Sequence, residues 1–206
     1  MRLRTIALAS GALITATLLL AGCAQNDTGG GMPGMDHGTT PMTTPSASIG
    51  DFNSADEMFV TGMIPHHEQA IQMADLLLGK DGVDPRVVDL AEQIKDAQGP
   101  EIETMTSWLE EWGIPYNNSM SEGMGGMDHG DGMMSEADMT ALESATGADA
   151  TRLFLEGMIG HHQGAVQMAQ SVIDNGKNPV VADLAQTIID GQTAEIATMQ
   201  DILGTL

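Results

Sequence analysis

One phrase is written twice in this chain. Met63-Ile-Pro-His66-His67-Glu-Gln-Ala70-Ile-Gln-Met73-Ala74 returns as Met158-Ile-Gly-His161-His162-Gln-Gly-Ala165-Val-Gln-Met168-Ala169. The register then slips by one residue and the alignment continues. Pro85 pairs with Pro179, Leu90 with Leu184, Ile94 with Ile188, Gln98 with Gln192, Glu101 with Glu195, Met105 with Met199 and Leu109 with Leu203. A duplication of this length restricts the fold to two similar units that bury their apolar faces against each other.

Each unit reads as a helical hairpin. Met58, Phe59, Met63, Ala70, Met73, Ala74 and Leu77 recur at helical spacing. Ser54-Ala-Asp-Glu57 has the form of a capping box. The first helix is therefore expected from residue 54 to about 78, stopping at Gly79 or Gly82, with a kink at Pro65. Asp84-Pro85 starts a second helix that ends near Trp112-Gly113. A short helix at Ser135-Glu-Ala-Asp138 precedes Gly147. A long one from about Ala150 to Asn175 carries the second copy, and a last one follows Asn178-Pro179 to about Leu203. No long stretch alternates with period two. The reading is all-α: a four-helix bundle of two repeated hairpins, over residues 51–206, with halves about 51–113 and 135–206 and an approximate internal twofold.

What precedes the bundle reads differently. Arg2 and Arg4, the apolar run from Ile6 to Leu20, and Leu20-Ala21-Gly22-Cys23 form a secretory signal over residues 1–22, too short to span a bilayer. Its end resembles the bacterial lipobox, which makes Cys23 a lipidation site, the membrane its partner, and the cell envelope the destination. Cys23 is the only cysteine, so it has no internal disulfide partner. Residues 23–50 read as a flexible Met-, Gly- and Thr-rich tether, and residues 113 to about 134 as a second low-complexity segment rich in Gly and Met. A formal net charge of −22 repels nucleic acid, which is excluded as a partner.

The chemistry lies in the doubled phrase. Four of the six histidines belong to it, each pair with a methionine three residues upstream and another about two turns downstream. Imidazole and thioether are ligands for copper, and thioethers favour Cu(I). Outside the cytoplasm thiolates tend to oxidise to disulfides, whereas methionine holds a soft ion without that liability. On a helix, Met63 lies beside His66 and His67, and Glu101 lies one turn from Met105. If hairpin partners face each other, each half gathers its own set: Met63, His66, His67, Met73, Glu101 and Met105 in one, Met158, His161, His162, Met168, Glu195 and Met199 in the other. Neighbouring histidines point about 100° apart, so one of each pair is expected toward the core and the other toward the bundle edge. Met35, His37, Met127 and His129 repeat the theme in the low-complexity segments and are weaker candidates. Taken singly, a methionine on an apolar stripe is most often core filler, and a glutamate a surface acid. The pairing in both copies is what favours ligation. Zinc and silver fit the same donors.

The pattern Met-Ile-X-His-His-X-X-Ala-X-X-Met-Ala, then Gln-X-X-Glu-Ile-X-X-Met, resembles the DUF305 family, and the resemblance covers about residues 54–204. It implies a ferritin-like helical bundle exported to the envelope, with a role in copper binding and tolerance. Gly160 departs from the first copy's Pro65 and removes the cause of the kink there, so the two sites are expected to differ in geometry. The function expected is an envelope-anchored copper-binding lipoprotein, not an enzyme, that buffers, sequesters or hands on Cu(I) or Cu(II), with copper-handling envelope proteins as partners. Two alternatives are a copper- or iron-dependent oxidase of ferritin-like fold and a metal-free helical interaction module. A di-iron site in a bundle needs Glu-X-X-His, and no such spacing occurs here.

Overall fold

The computed structural model describes residues 49–116 and 132–206. The signal, Cys23 and residues 117–131, with Met35, His37, Met127 and His129, lie outside the described residues, as does the tether up to residue 48. Five helices follow in order: α1 (Ser54–Leu78), α2 (Pro85–Trp112), α3 (Glu136–Ser144), α4 (Gly147–Asn175) and α5 (Pro179–Leu203). No strand occurs among the described residues, and no described helix is long and apolar enough to cross a membrane.

The helix starts follow local chemistry, with two corrections to the sequence reading. The N-cap of α1 is Asn53 rather than Ser54. Its Oδ1 accepts the Ala55 and Asp56 N–H groups at 2.9 and 3.1 Å, and the Asp56 carboxylate accepts the Asn53 N–H at 2.8 Å. Asparagine caps as well as serine, and the acid that completes the box here is Asp56, not Glu57. Helix α4 begins at Gly147, about a turn before the expected start. The other starts fall as read: Asp84 caps α2 with Pro85 in the first turn, Ser135 caps α3, and Asn178 caps α5. Helix α1 continues through Pro65, as α2 does through Pro100. Met58, placed by spacing on the apolar stripe, is 71% exposed.

Helix α1 packs on α2, α4 on α5, and α1 on α4. The internal twofold shows in the joints. Asp56 is fully buried, and its carboxylate also accepts the Lys177 and Asn178 N–H groups at 2.9 and 3.2 Å, tying the start of α1 to the α4–α5 turn. At the aligned position, the Thr151 hydroxyl accepts the Asp84 N–H at 3.3 Å, tying the start of α4 to the α1–α2 turn.

Two apolar clusters fill the interior. One contains Phe59, Val60, Met63 and Ile64 of α1, Met105, Trp108 and Leu109 of α2, Ala165 and Val172 of α4, and Val181 and Ile188 of α5. The other contains Ala70, Met73 and Leu77 of α1, Val87, Leu90 and Ile94 of α2, Leu142 of α3, Phe154, Leu155 and Met158 of α4, and Met199 and Ile202 of α5. Each fully buried large side chain contributes about 1.5–3 kcal/mol, so these two poles carry the stability. Between them, every long helix crosses a polar zone: His66 and His67 on α1, Gln98 and Glu101 on α2, His161 and His162 on α4, Gln192 and Glu195 on α5.

Candidate metal centre

All four histidines of this waist are fully buried. Adjacent rings diverge, as the helical rotation requires, with centroids 6.4 Å apart for His66 and His67 and 6.3 Å for His161 and His162. Neither ring of a pair reaches the bundle edge, contrary to the sequence expectation, because the flanking helix covers the outer one. His67 Nε2 lies 2.8 Å from Glu101 Oε2 on α2, and His162 Nε2 lies 2.6 Å from Glu195 Oε2 on α5. The inner rings, His66 and His161, meet across the α1–α4 contact with centroids 3.7 Å apart at 39°.

The two carboxylates set the outer rings. A carboxylate oxygen accepts, so in the neutral imidazole Nε2 carries the hydrogen and Nδ1 carries the lone pair. His67 Nδ1 and His162 Nδ1 are buried and make no hydrogen bond. That is the tautomer a metal needs: one nitrogen held by an orienting carboxylate, the other open. His161 makes no hydrogen bond through either ring nitrogen. Burial, and then the nearby rings of His66, His162 and His67, hold its pKa well below the ordinary imidazole value, against a weak opposing approach of the His66 main chain. A ring kept neutral is ready to ligate.

The methionines frame this zone, but not half by half. Met63 and Met105 lie in one apolar pole with Met168 packed at its border, and Met73 lies in the other with Met158 and Met199. The downstream methionine of each copy has crossed to the other half, because α1 and α4 pack on each other. The Met168 sulfur accordingly lies near Gly62 on α1. His66 likewise meets His161 rather than the remaining members of its own half. Among the described residues, no three His, Cys, Asp or Glu side chains close around a point that would hold a metal ion. The inner rings pack on each other at a tilt with no room for an ion between them, so joint ligation by His66 and His161 requires the rings to turn. The donor set still fits a soft ion: imidazole lone pairs without partners, and fully buried thioethers at Met63, Met73, Met105, Met158 and Met199.

Sequence reasoning assigned no role to several residues that the structure brings forward. Gln98 and Gln192 are 2% and 4% exposed, with neither amide atom hydrogen-bonded. Their alignment between the copies was the available signal. Gln69 clamps the end of the central segment: its Oε1 accepts the Met134 N–H at 2.8 Å, and its Nε2 donates to the Met134 carbonyl at 3.0 Å. Gly132, at φ +81°, lies so close to the Gly160 carbonyl and Gly164 that a Cβ there would collide, and the Met134 sulfur fills the space above Gly157. The positions where the copies differ, Pro65 against Gly160 and Gln69 against Gly164, thus seat this strap across α1 and α4, on Gln69 of the first copy and on the glycines of the second. Glu68, beside His67, accepts the Tyr116 hydroxyl at 3.4 Å. Burial raises Glu68, while burial and then the Glu68 charge push Tyr116 up to about 12.

Comparison with known proteins agrees with this all-helical fold. A DUF305 fragment from Deinococcus radiodurans is 35% identical, with a TM-score of 0.67 over 75% of this chain and 98% of its own. A DUF305 protein from Streptomyces coelicolor is 31% identical, with a TM-score of 0.65 over 73% and 91%. CopM in its Cu(II)-bound form is 35% identical, with a TM-score of 0.62 over 73% and 96%, and CopM has also been solved with Cu(I) and with silver. A curated relative, the uncharacterized protein L153 of Acanthamoeba polyphaga mimivirus, is 41% identical over 56 residues, which are 27% of this chain and 36% of that protein. Residues 56–203 match the family described as Domain of unknown function (DUF305), and the chain belongs to it.

Proposed function

We propose that this protein is an exported, non-enzymatic copper-binding protein that buffers copper or hands it on. The observation that carries the proposal is the buried waist: four imidazoles, three of them with ring nitrogens that make no hydrogen bond, between two poles of buried thioethers. Copper- and silver-bound CopM, at 32–35% identity, supports the choice of metal. In this reading His66, His67, His161 and His162 supply nitrogen, and Met63, Met73, Met105, Met158, Met168 and Met199 supply sulfur. Glu101 and Glu195 orient the outer rings and offer oxygen to Cu(II). The loop residues Met35, His37, Met127 and His129 would collect the ion, and lipidation at Cys23 would hold the protein at the envelope membrane.

The test is competition against a chromogenic Cu(I) chelator, using the mature protein and a variant with all four waist histidines replaced by alanine. Affinity at least tenfold tighter in the parent is expected. Equal affinity would defeat the proposal. Incorporation of labelled palmitate, abolished by Cys23→Ala, tests the anchor separately.

A further inference from the structure

We propose that Gln98 and Gln192 are positioning residues of the copper site, whose amide oxygens accept the N–H of the inner imidazoles once those rings turn to bind metal. The inference rests on the proposed copper reading and deepens it. Three observations support it, all independent of the metal.

First, both amides are almost wholly buried, and none of their four polar atoms makes a hydrogen bond. A buried polar group without a partner costs roughly 1–3 kcal/mol, and a leucine of similar volume would avoid that cost. The same expense occurs at aligned positions in both halves. A second state of the protein, in which the amides find partners, removes it.

Second, each glutamine stands one helical turn before the glutamate that already orients a histidine: Gln98 before Glu101, and Gln192 before Glu195. Residues three apart share a helix face, so amide and carboxylate enter the same zone between the two poles.

Third, the waist has a shortage of acceptors. One oxygen each of Glu101 and Glu195 is engaged by His67 and His162, and both carboxylates are partly open to solvent, while His161 makes no hydrogen bond through either nitrogen. When one nitrogen of a neutral imidazole binds a metal, the other carries a hydrogen that needs an acceptor. Thioethers accept weakly. Among the buried side chains of the waist, the oxygens left for that purpose belong to Gln98 and Gln192. The duplicated Gln-X-X-Glu would then serve as two orienting acceptors per half, a carboxylate for the outer ring and an amide for the inner one.

The experiment uses the mature protein, Gln98→Leu, Gln192→Leu and the double variant. Three readings are taken: the melting temperature without metal, Cu(I) affinity by chelator competition, and the imidazole N–H signals in nitrogen-15 NMR with silver bound. The variants should melt at or above the parent's temperature without metal, since an orphan amide is removed. Cu(I) affinity should fall about 10–100-fold in the double variant, and the exchange-protected N–H signal of His161 should be lost. If apo stability rises while affinity and that N–H signal match the parent, the amides are structural and the proposal is overturned. Should the double variant fail to fold, the two single variants, each retaining one amide, decide by the same criteria. If the parent itself binds no Cu(I) above the four-alanine control, the copper reading falls and takes this inference with it.

Discussion

Mild acid should destabilise the metal-free domain, and the waist sets the size and pH window of the effect. His161 is held well below the ordinary imidazole range, first by burial and then by His66, His162 and His67 around it. An unfolded chain protonates the same ring near pH 6.5. Below that pH the unfolded state binds a proton that the folded state refuses, so stability falls as pH falls, until the folded ring's own value is reached. One such ring changes stability by about 1.4 kcal/mol for each pH unit in that interval. Between pH 7.5 and 5.5 the expected loss is therefore about 1.4 kcal/mol, or roughly 3–6 °C of melting temperature for a domain of this size. Glu68 is raised by burial and so acts in the opposite sense nearer pH 5, while Asp84 is lowered chiefly by its bond to Arg86 and acts at lower pH. Thermal melts of apo-protein by circular dichroism at pH 7.5, 6.5 and 5.5, for the parent and for His161→Gln, provide the assay. The parent should lose stability across this range, and the variant should lose about 1.4 kcal/mol less. Identical melting of the parent at pH 7.5 and 5.5, or an unchanged slope in His161→Gln, would refute the reasoning.

Asp56→Ala removes the acceptor of three main-chain N–H groups in a buried joint. It should cost about 3 kcal/mol or more, read by urea denaturation; a loss below about 1 kcal/mol would mean that water replaces the carboxylate freely. Gln69→Ala cuts both bonds that hold Met134. Hydrogen exchange at the Met134 amide should accelerate at least tenfold while amides in the centre of α5 exchange as before, and unchanged exchange at Met134 would show that the glycine contacts suffice. Tyr116 is the only tyrosine, so its ionisation can be followed by ultraviolet difference absorbance. The midpoint should lie near the value of about 12 to which burial and Glu68 push it, and a midpoint at the free-phenol value of about 10 would count against the burial.

The duplication made most of this fold readable, and it did so for a physical reason. Two copies of one apolar stripe can bury themselves only against each other, and Asp84-Pro85, Ser135 and Asn178-Pro179 mark their helix starts by chemistry that acts within three residues. The cap at Asn53 is equally local, since Asn53 and Asp56 close a box within three residues; what spacing could not show is that Asp56 also holds Lys177 and Asn178, more than a hundred residues away. Met58 kept helical spacing yet ended outside, since periodicity gives a face but not the width of its cover. The His67–Glu101 and His162–Glu195 pairs matched the hairpin reasoning. The His66–His161 contact did not follow from it, because it joins the two halves. Spacing within one helix reports which side chains share a side; which other helix covers that side is a tertiary fact.

Under the copper reading, exposure within the waist separates the residues that would exchange metal from those that would keep it. The four imidazoles are fully buried, and the two amides are nearly so. The Glu101 and Glu195 side chains keep 18% and 21% of their surface open. Glu195 also lines a cleft of about 460 Å³ between α2 and α5, with Arg86, Asp89 and Gln93 on its opposite wall. A cation arriving from solvent on that side would meet a carboxylate first, then the imidazole that the carboxylate holds, and only then the thioethers of the adjoining pole. Hard oxygen suits a hydrated Cu(II) ion and sulfur suits Cu(I), so the order of donors runs from solvent-compatible to solvent-excluded. The strap adds an asymmetry: the Met134 sulfur sits over Gly157, one turn before His161, whereas the side chain near the aligned Gly62 is Met168 of the bundle itself. An internally symmetric core has thereby acquired one face, on α1 and α4, that Gly132 and Met134 cover.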